Sequence, residues 1–324
     1  MTIRTTALAA VLALASALPA AAQELKFANF TAPGHTVTRS VIETLNTVAS
    51  EASGGSVTVR GYHGGELGAG PVEQYVRAVQ GGADITWGLP GYTSSQFGKT
   101  MMVEAPFAVP EGKSGADAIW DAYEAHLAGE FPATVPVAIW TSEPNVMIMR
   151  DKVVRTPADL EGLKIRVAGA VAGQVAEALG ATPVQMPINQ VYNALQTGLI
   201  DGVFTGSSTL GDFKLDEVAA AYTFGAPLGR LSFFAVMNEG VFNGLPDATQ
   251  ASILENARRI SNEAEAAWNA TAETGVAIAR ELPENTFVDL TEDEAAAFAD
   301  LIRPVTEAYV GSVGGADAFA AMQQ

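Results

Sequence analysis

Apolar residues recur along this chain with two periods that take turns. Leu25–Phe30 reads as a strand, and Val41, Leu45, Val48 and Ala52 at helical spacing predict a helix over Val37–Ala52, ended by Gly54 and Gly55. Val57 and Val59 alternate with Thr58 and Arg60, so Ser56–Tyr62 is a second strand. Past a glycine-rich turn, Val72, Tyr75, Val76 and Val79 predict a helix entered through Pro71, and Ala83–Leu89 a third strand. Strand, helix, strand, helix, strand is the pattern of a mostly parallel sheet covered by helices. A helix over Ala116–Leu127 and a strong strand over Val135–Trp140 follow, and near Ser142–Asn145 the pattern restarts as if in a new lobe.

That second unit is densest between Thr156 and Gly202. Thr156-Pro157-Ala158-Asp159 supplies an N-cap, a proline at the first helical position and an acid in the first turn. Lys164–Val167 reads as a strand, Val171–Leu179 as a helix stopped by Gly180, and Pro183–Met186 as another extended piece. Ile188, Val191, Tyr192 and Leu195 share one helical face. Phe224–Arg230 looks like a return crossing, with Ser232–Asn238 rejoining the first lobe. Asp247 and Gln250 have capping-box spacing at the start of a run without glycine until Gly275 or proline until Pro283. A continuous helix to Glu281 would reach about 50 Å, longer than one lobe. Thr291-Glu292-Asp293-Glu294 opens a last helix with a second capping box. The expected division is residues 23–143 with 232–271 in lobe I and 144–231 with 272–324 in lobe II, with a cleft between them.

The first 22 residues change the picture of where the chain works. Arg4, the apolar run Ala7–Leu18 and Ala20-Ala21-Ala22 have the order of a secretory signal peptide cleaved after Ala22. An apolar run of about 12 residues falls short of the ~20 that span a bilayer. With Arg4 removed, the 17 remaining basic residues face 36 acidic ones, a net charge of −19 that disfavours nucleic acid and anionic membranes. Against that background, an anionic ligand needs a locally placed cation. The absence of cysteine excludes disulfides, thiolate metal sites and thiol nucleophiles.

Enzyme chemistry finds little support. His35, His63 and His126 fall on separate elements without ligand spacing and read as surface or packing residues. Gly311-Ser312-Val313-Gly314 lacks the second spacer of a nucleophile elbow. The turn Gly65-Glu66-Leu67-Gly68-Ala69-Gly70 matches no nucleotide-binding spacing, and its glycines read as tight-turn residues, with Glu66 a candidate acceptor on a cleft wall. Arg166 is the sharpest candidate, because its planar fork fits a carboxylate where lysine would not. Phe30, Trp87, Tyr92, Trp140, Phe204 and Phe233 stand at strand ends, where a crevice between lobes would form.

The motifs T-P-x-D-L-x-G-L-K-I-R-V, G-A-T-P-V-x-M-P and V-Y-x-A-L-Q-T-G-x-I-D-G occur in order between Thr156 and Gly202. With His35, the Ser53–Val59 segment, the Gly65–Gly68 turn and Met237–Pro246, they make the chain resemble the DctP-type solute-binding proteins of tripartite ATP-independent periplasmic (TRAP) transporters. The resemblance covers nearly all of the chain after residue 22. It implies an α/β, two-lobed periplasmic binding protein of type II-like form, each lobe a mixed sheet flanked by helices, with a long helix spanning both. It further implies a periplasmic, non-enzymatic, monomeric protein without cofactor or metal. Such a protein binds a small organic acid and passes it to a small and a large integral membrane subunit.

In that family the arginine after G-L-K-I pairs with the ligand carboxylate, a role that Arg166 inherits, and the position after M-P, here Ile188, faces the pocket. Asn29, Phe30, Glu66, Trp87, Tyr92, Thr205 and Phe233 complete the expected wall. Two departures matter. Val203-Phe204-Thr205 replaces the Q-E-N that often follows D-G, leaving a hydroxyl where the family has an amide. The segment Ser142–Met147 lacks the second pocket arginine of N-G-F-R, and Arg150 is displaced along the strand. A monocarboxylate fits these departures better than a dicarboxylate. A ligand sensor presenting its solute to a receptor is the alternative class, and an exported enzyme a third.

Overall fold

The computed structural model describes residues 22–324; the signal-peptide expectation lies outside the described residues. The first sheet is built from β1 (Gln23–Ala28), β2 (Val57–Tyr62), β3 (Ile85–Gly88) and β4 (Thr134–Thr141), joined by a returning strand, Ser232–Asn238. β1 pairs in parallel with β2 and β3, and the returning strand runs antiparallel between β3 and β4. Helices α1 (Thr44–Ala52), α2 (Gln74–Val79) and α3 (Gly115–Ala122) cover it. A π-helical turn, Thr38–Glu43, precedes α1 within the span the sequence predicts as one helix. α2 is shorter than its pattern promised. Tyr75 is buried, but Val72, Val76 and Val79 remain partly exposed, because the proline-led approach becomes helical only at Gln74.

The second sheet has six strands: β5 (Asn145–Met149), β6 (Lys164–Val167), β7 (Thr182–Gln185), β8 (Gly202–Gly206), β9 (Ala221–Phe224) and the late strand Thr286–Asp289. β6 lies parallel to β7 and β8, and β5 runs antiparallel to β8 and β9. Around it sit α4 (Ala170–Ala178), α5 (Val191–Thr197) and the short α6 (Thr209–Asp212). Each lobe is therefore a mixed sheet flanked by helices, as the family resemblance implies, and not the mostly parallel sheet that the strand–helix alternation alone predicts. The Thr156 capping box forms with Asp159, on a short 3-10 turn over Pro157–Leu160.

Two short segments connect the lobes, Ser142–Pro144 and Gly225–Leu231, and they hydrogen-bond to each other. Asn145 N–H donates to Gly229 O at 2.8 Å and Ser142 N–H to Leu231 O at 2.8 Å. Gly229 requires its freedom: φ is +76°, and a Cβ there would lie 1.9 Å from Glu104 O. After the returning strand, β10, come α7 (Glu239–Asn243) and α8 (Asp247–Arg280), a helix of 34 residues. At about 1.5 Å per residue, α8 is roughly 50 Å long. Its buried face begins with Ile253, Ile260, Ala264 and Trp268 in the core of the first lobe and ends with Ala279 in the core of the second. The Asp247–Gln250 capping box does not form: Pro246 is the N-cap, Asp247 is already helical, and Gln250 Nε2 donates to Leu245 O instead.

The last strand, β11, and the first turns of α9 (Glu292–Ser312) belong to the second lobe, where Phe298 and Ile302 are fully buried. The rest of the tail does not follow the expected division. Thr306 and Tyr309 donate to Pro106 O and Gly98 O, and α10 (Ala316–Met322) buries Ala318 and Met322 in the first lobe. α9 is simply long enough to carry the chain back across, and its capping box at Thr291 and Glu294 fixes where it starts.

Glu104 fastens the return crossing to the first lobe. Its Oε1 accepts from the Ser232 hydroxyl at 2.6 Å and the Ser232 N–H at 3.1 Å. Burial pushes its carboxyl up to about 7 from 4.5, against the two Ser232 hydrogen bonds. A raised carboxyl means that the folded state holds a proton the unfolded state has released. The stabilisation is complete below about pH 4.5 and disappears as pH rises through 7. Urea titrations of wild type and Glu104→Gln at pH 5 and pH 7.5 should show the variant gaining on wild type at the higher pH, by at most about 1.4 kcal/mol per pH unit. Parallel pH profiles would contradict this.

Candidate functional site

The site begins with Arg166 on β6, paired in the sheet with Val184 and Val203. Lys164, two residues earlier on the same face, is exposed, whereas Arg166 at the cleft end of the strand is only 1 % exposed. Its Nε donates to Met186 O at 2.8 Å and its Nη2 to the Tyr92 hydroxyl at 3.4 Å. Nη1 is buried with no partner. Burial pulls the guanidinium pKa down, and the groups that oppose this are the Met186 carbonyl and the Tyr92 hydroxyl, neither of them a carboxylate. A buried cation left this way is costly, and an anion brought alongside removes the cost.

Tyr92 reaches Arg166 from the other lobe, from a 3-10 turn over Pro90–Thr93. Its oxygen also accepts from Ile188 N–H at 3.0 Å. With both lone pairs engaged, the phenol hydrogen remains free to be donated. Thr205, central in β8 and fully buried, has an unpartnered hydroxyl on the same cavity. Arg166 Nη1, the Tyr92 O–H and the Thr205 O–H are thus three donors without an acceptor.

Aromatic side chains form the rest of the wall. Phe30 stacks on Trp87 with ring centroids 4.5 Å apart, and Trp87, Phe233 and Trp268 pack against one another. Ile188, Leu89 and Leu231 close the apolar surface. Water-sized spheres have about 30 Å³ of free room between these walls. At about 10–15 Å³ per water, this holds only two or three waters. The lobes are shut: Ala170 N–H donates to Ser94 Oγ, Gln185 Nε2 to Gly91 O, and Thr36 N–H to Asp212 Oδ1. Gly91 and Gly169 meet across the cleft so closely that a Cβ on Gly169 would lie 2.7 Å from Gly91 Cα.

Seven of the nine residues expected from sequence line this cavity: Phe30, Trp87, Tyr92, Arg166, Ile188, Thr205 and Phe233. Asn29 and Glu66 do not. Asn29 is framework: its Oδ1 accepts from Trp87 Nε1 (2.9 Å), Thr31 N–H (3.0 Å) and Thr31 Oγ1 (2.7 Å). Glu66 is exposed, because Gly64 and Gly65 turn the chain back onto Thr31 O and Asn29 O and aim the next residue outward. Trp140 and Phe204 are core, and Arg150 sits at the surface beside Asp151.

Sequence reasoning missed His35, Ser208, Thr209, Asp212, Phe213 and Trp268, all on the cavity wall. Of the two expectations for His35, surface or packing, the second holds: it is buried between Trp87, Phe213 and Trp268, but it also lines the cavity, with its Nε2 3.5 Å from Asp212 Oδ2. The one available signal was Trp268, a large aromatic on the buried face of the predicted long helix.

Two lobes on paired backbone crossings, shut over a cavity that presents donors to an anion, define a two-lobed solute-binding protein. The chain belongs to the DctP family, bacterial extracellular solute-binding protein family 7, whose profile matches residues 27–312. Members of this family are binding components of transporters and not enzymes. A TRAP periplasmic solute-binding protein of Bordetella bronchiseptica with bound (R)- and (S)-mandelate superposes with a TM-score of 0.84 at 26 % identity, covering 92 % of this chain and 97 % of that one. A TRAP solute-binding protein of Rhodoferax ferrireducens in complex with copurified benzoate gives 0.83 at 27 %, covering 92 % and 96 %. A curated solute-binding protein of a Sulfitobacter species is 29 % identical over 198 residues, 59 % of this chain and 57 % of its own length. The chain thus matches only a little over half of that curated relative.

Asn29→Ala would strip partners from the buried Trp87 Nε1–H and from Thr31. It should lower unfolding free energy by about 2–3 kcal/mol, the scale of leaving buried donors unsatisfied. Denaturant titration with tryptophan fluorescence tests this, and a loss below about 0.5 kcal/mol, within the range of an ordinary surface substitution, would remove Asn29 from the framework.

Proposed function

We propose that the protein captures a small aromatic monocarboxylate between its lobes in the periplasm and delivers it to a TRAP-type secondary membrane transporter. The observation that carries this reading is the buried Arg166 guanidinium, with Nη1 unpartnered, facing an aromatic slot together with the free hydroxyls of Tyr92 and Thr205. A carboxylate accepts from all three. Such a charge-assisted contact contributes roughly 1.5–3 kcal/mol.

Two further observations favour one carboxylate over two. Among the residues lining the cavity Arg166 is the only arginine or lysine, and Asp212 stands on the same wall, where a second carboxylate would be repelled. The wall is largely aromatic, a surface that suits a ligand with a flat ring. Relatives at 26–27 % identity that carry mandelate and benzoate support the same ligand class. Tyr92 belongs to one lobe and Arg166 to the other, so a bound carboxylate contacts both and shifts the population toward the closed form.

Calorimetry with benzoate, mandelate and succinate tests the proposal. Benzoate or mandelate should bind at least about tenfold more tightly than succinate, a gap of ~1.4 kcal/mol. Arg166→Ala should fold but lose the ligand-induced rise in melting temperature. Tight succinate binding, or an undiminished thermal shift in the variant, would sink the reading.

A further inference from the structure

Helix α4 has no N-terminal cap of its own. Its N-cap residue is Gly169, which has no side chain to offer the free N–H groups of the first turn. Backbone conformation does not demand glycine there, since φ is −161°, extended and open to any residue. The demand comes from the other lobe. A Cβ on Gly169 would lie 2.7 Å from Gly91 Cα and 3.2 Å from Gly91 O. The shut form therefore leaves no room for the serine, threonine or aspartate that usually caps a helix.

The turn that takes this room also supplies the missing acceptor. Ser94, the residue after the Pro90–Thr93 turn, accepts from Ala170 N–H at 3.4 Å. Its own hydrogen is donated to Gly91 O at 2.8 Å, which fixes the hydroxyl with its lone pairs free for Ala170. Gly91 O accepts in addition from Gln185 Nε2 of the second lobe, at 3.2 Å. Ala168, Val171 and Ala172 about the helix start are buried, which limits how far water can stand in for the hydroxyl.

The same turn reaches the carboxylate site. Tyr92, two residues before Ser94, meets Arg166 Nη2 at 3.4 Å and Ile188 N–H at 3.0 Å. Arg166 in turn lies four residues before Ala170, on the strand that leads into α4. One turn of the first lobe thus touches both the anchor and the helix that follows it. Both contacts cross the cleft, so both are lost when the lobes part.

We infer that Ser94 caps α4 from the opposite lobe, and that this cap sets how long the shut form holds its solute. The inference rests on the monocarboxylate reading above for its closing ligand and deepens it: Arg166 and Tyr92 recognise the carboxylate, and Ser94 delays its release. Ser94 is absent from the cavity wall, so it acts through α4 and is a positioning residue. A contact made only after the lobes have met adds little to the first encounter. Its effect falls on dissociation, the step through which most affinity differences between related complexes arise.

The test follows benzoate binding to the whole protein by stopped-flow tryptophan fluorescence. Ser94→Ala should raise the dissociation rate about three- to tenfold, the scale of one lost N-cap, and change the association rate by less than about twofold. Ser94→Thr, which keeps the acceptor hydroxyl, should stay close to wild type. Hydrogen exchange at the Ala170 N–H should slow on benzoate binding in wild type and in the threonine variant, and much less in the alanine variant. Melting temperatures of the three unliganded proteins should agree, because the contact is missing from parted lobes.

An unchanged dissociation rate in Ser94→Ala overturns the inference, as does a threonine variant that releases as fast as the alanine one. A slower association that accounts for the whole loss of affinity would place Ser94 in capture and overturn it too. Equal falls in melting temperature with and without benzoate would make Ser94 a framework residue of the first lobe, with the monocarboxylate reading left standing. A wild type that binds no benzoate would instead bring down that parent reading, and this one with it.

Discussion

A guanidinium buried without a carboxylate inside its own chain is the constraint around which the rest of this structure makes sense. The fold carries Arg166 to the cleft end of a central strand, ties down one edge with the Met186 carbonyl, and leaves the other edge unsatisfied. In a chain with a formal net charge of −18 acids to pair with it are plentiful, yet among the described residues its side-chain partners are the Met186 carbonyl and the Tyr92 hydroxyl. The cost of that arrangement falls on the closed state. With the lobes apart, water solvates the cation; with them together, only an anion does so equally well. Closure and occupancy are thereby coupled through electrostatics alone.

Much of this was legible in the sequence because it depends on local pattern. The strand–helix alternation, the long helix and the Thr156 and Thr291 caps all follow from spacing that neighbouring residues share. The place of Arg166 was legible through the G-L-K-I-R-V motif, and several aromatic wall residues through their position at strand ends. Asn29 and Glu66 show the limit. Both sit beside the cleft in sequence, but a side chain's direction is set by hydrogen bonds across tens of residues, Asn29 to Trp87 for example. His35 and Asp212 were illegible for the same reason. They are 177 positions apart, and neither periodicity nor motif links them; only the shut geometry brings them together. The tail's return to the first lobe escaped notice because helix length alone does not say which lobe a helix ends on.

The cavity wall carries charge of both signs, Arg166 and Asp212. At Arg166 the protein presents bare donors and one cation. At Asp212 it presents an acid that accepts from Thr36 N–H of the opposite lobe and lies 3.5 Å from His35 Nε2. The aromatic rings of the wall lower the local dielectric, so that each contact counts for more than it would at the surface. A pocket with an internal Arg–Asp pair would be satisfied when shut over nothing.

The Gly91–Gly169 contact carries a consequence of its own. Two backbones meet there with no side chain between them, so the depth to which the clamshell shuts is set by peptide thickness. A methyl on Gly169 would act as a doorstop, since it would lie 2.7 Å from Gly91 Cα and something must shift, whereas one on Gly91, 3.0 Å from Ala168 O, would ask the facing backbone to give only slightly. Receptors that differ only there would share every ligand contact in sequence, yet differ in whether those contacts can be made at once.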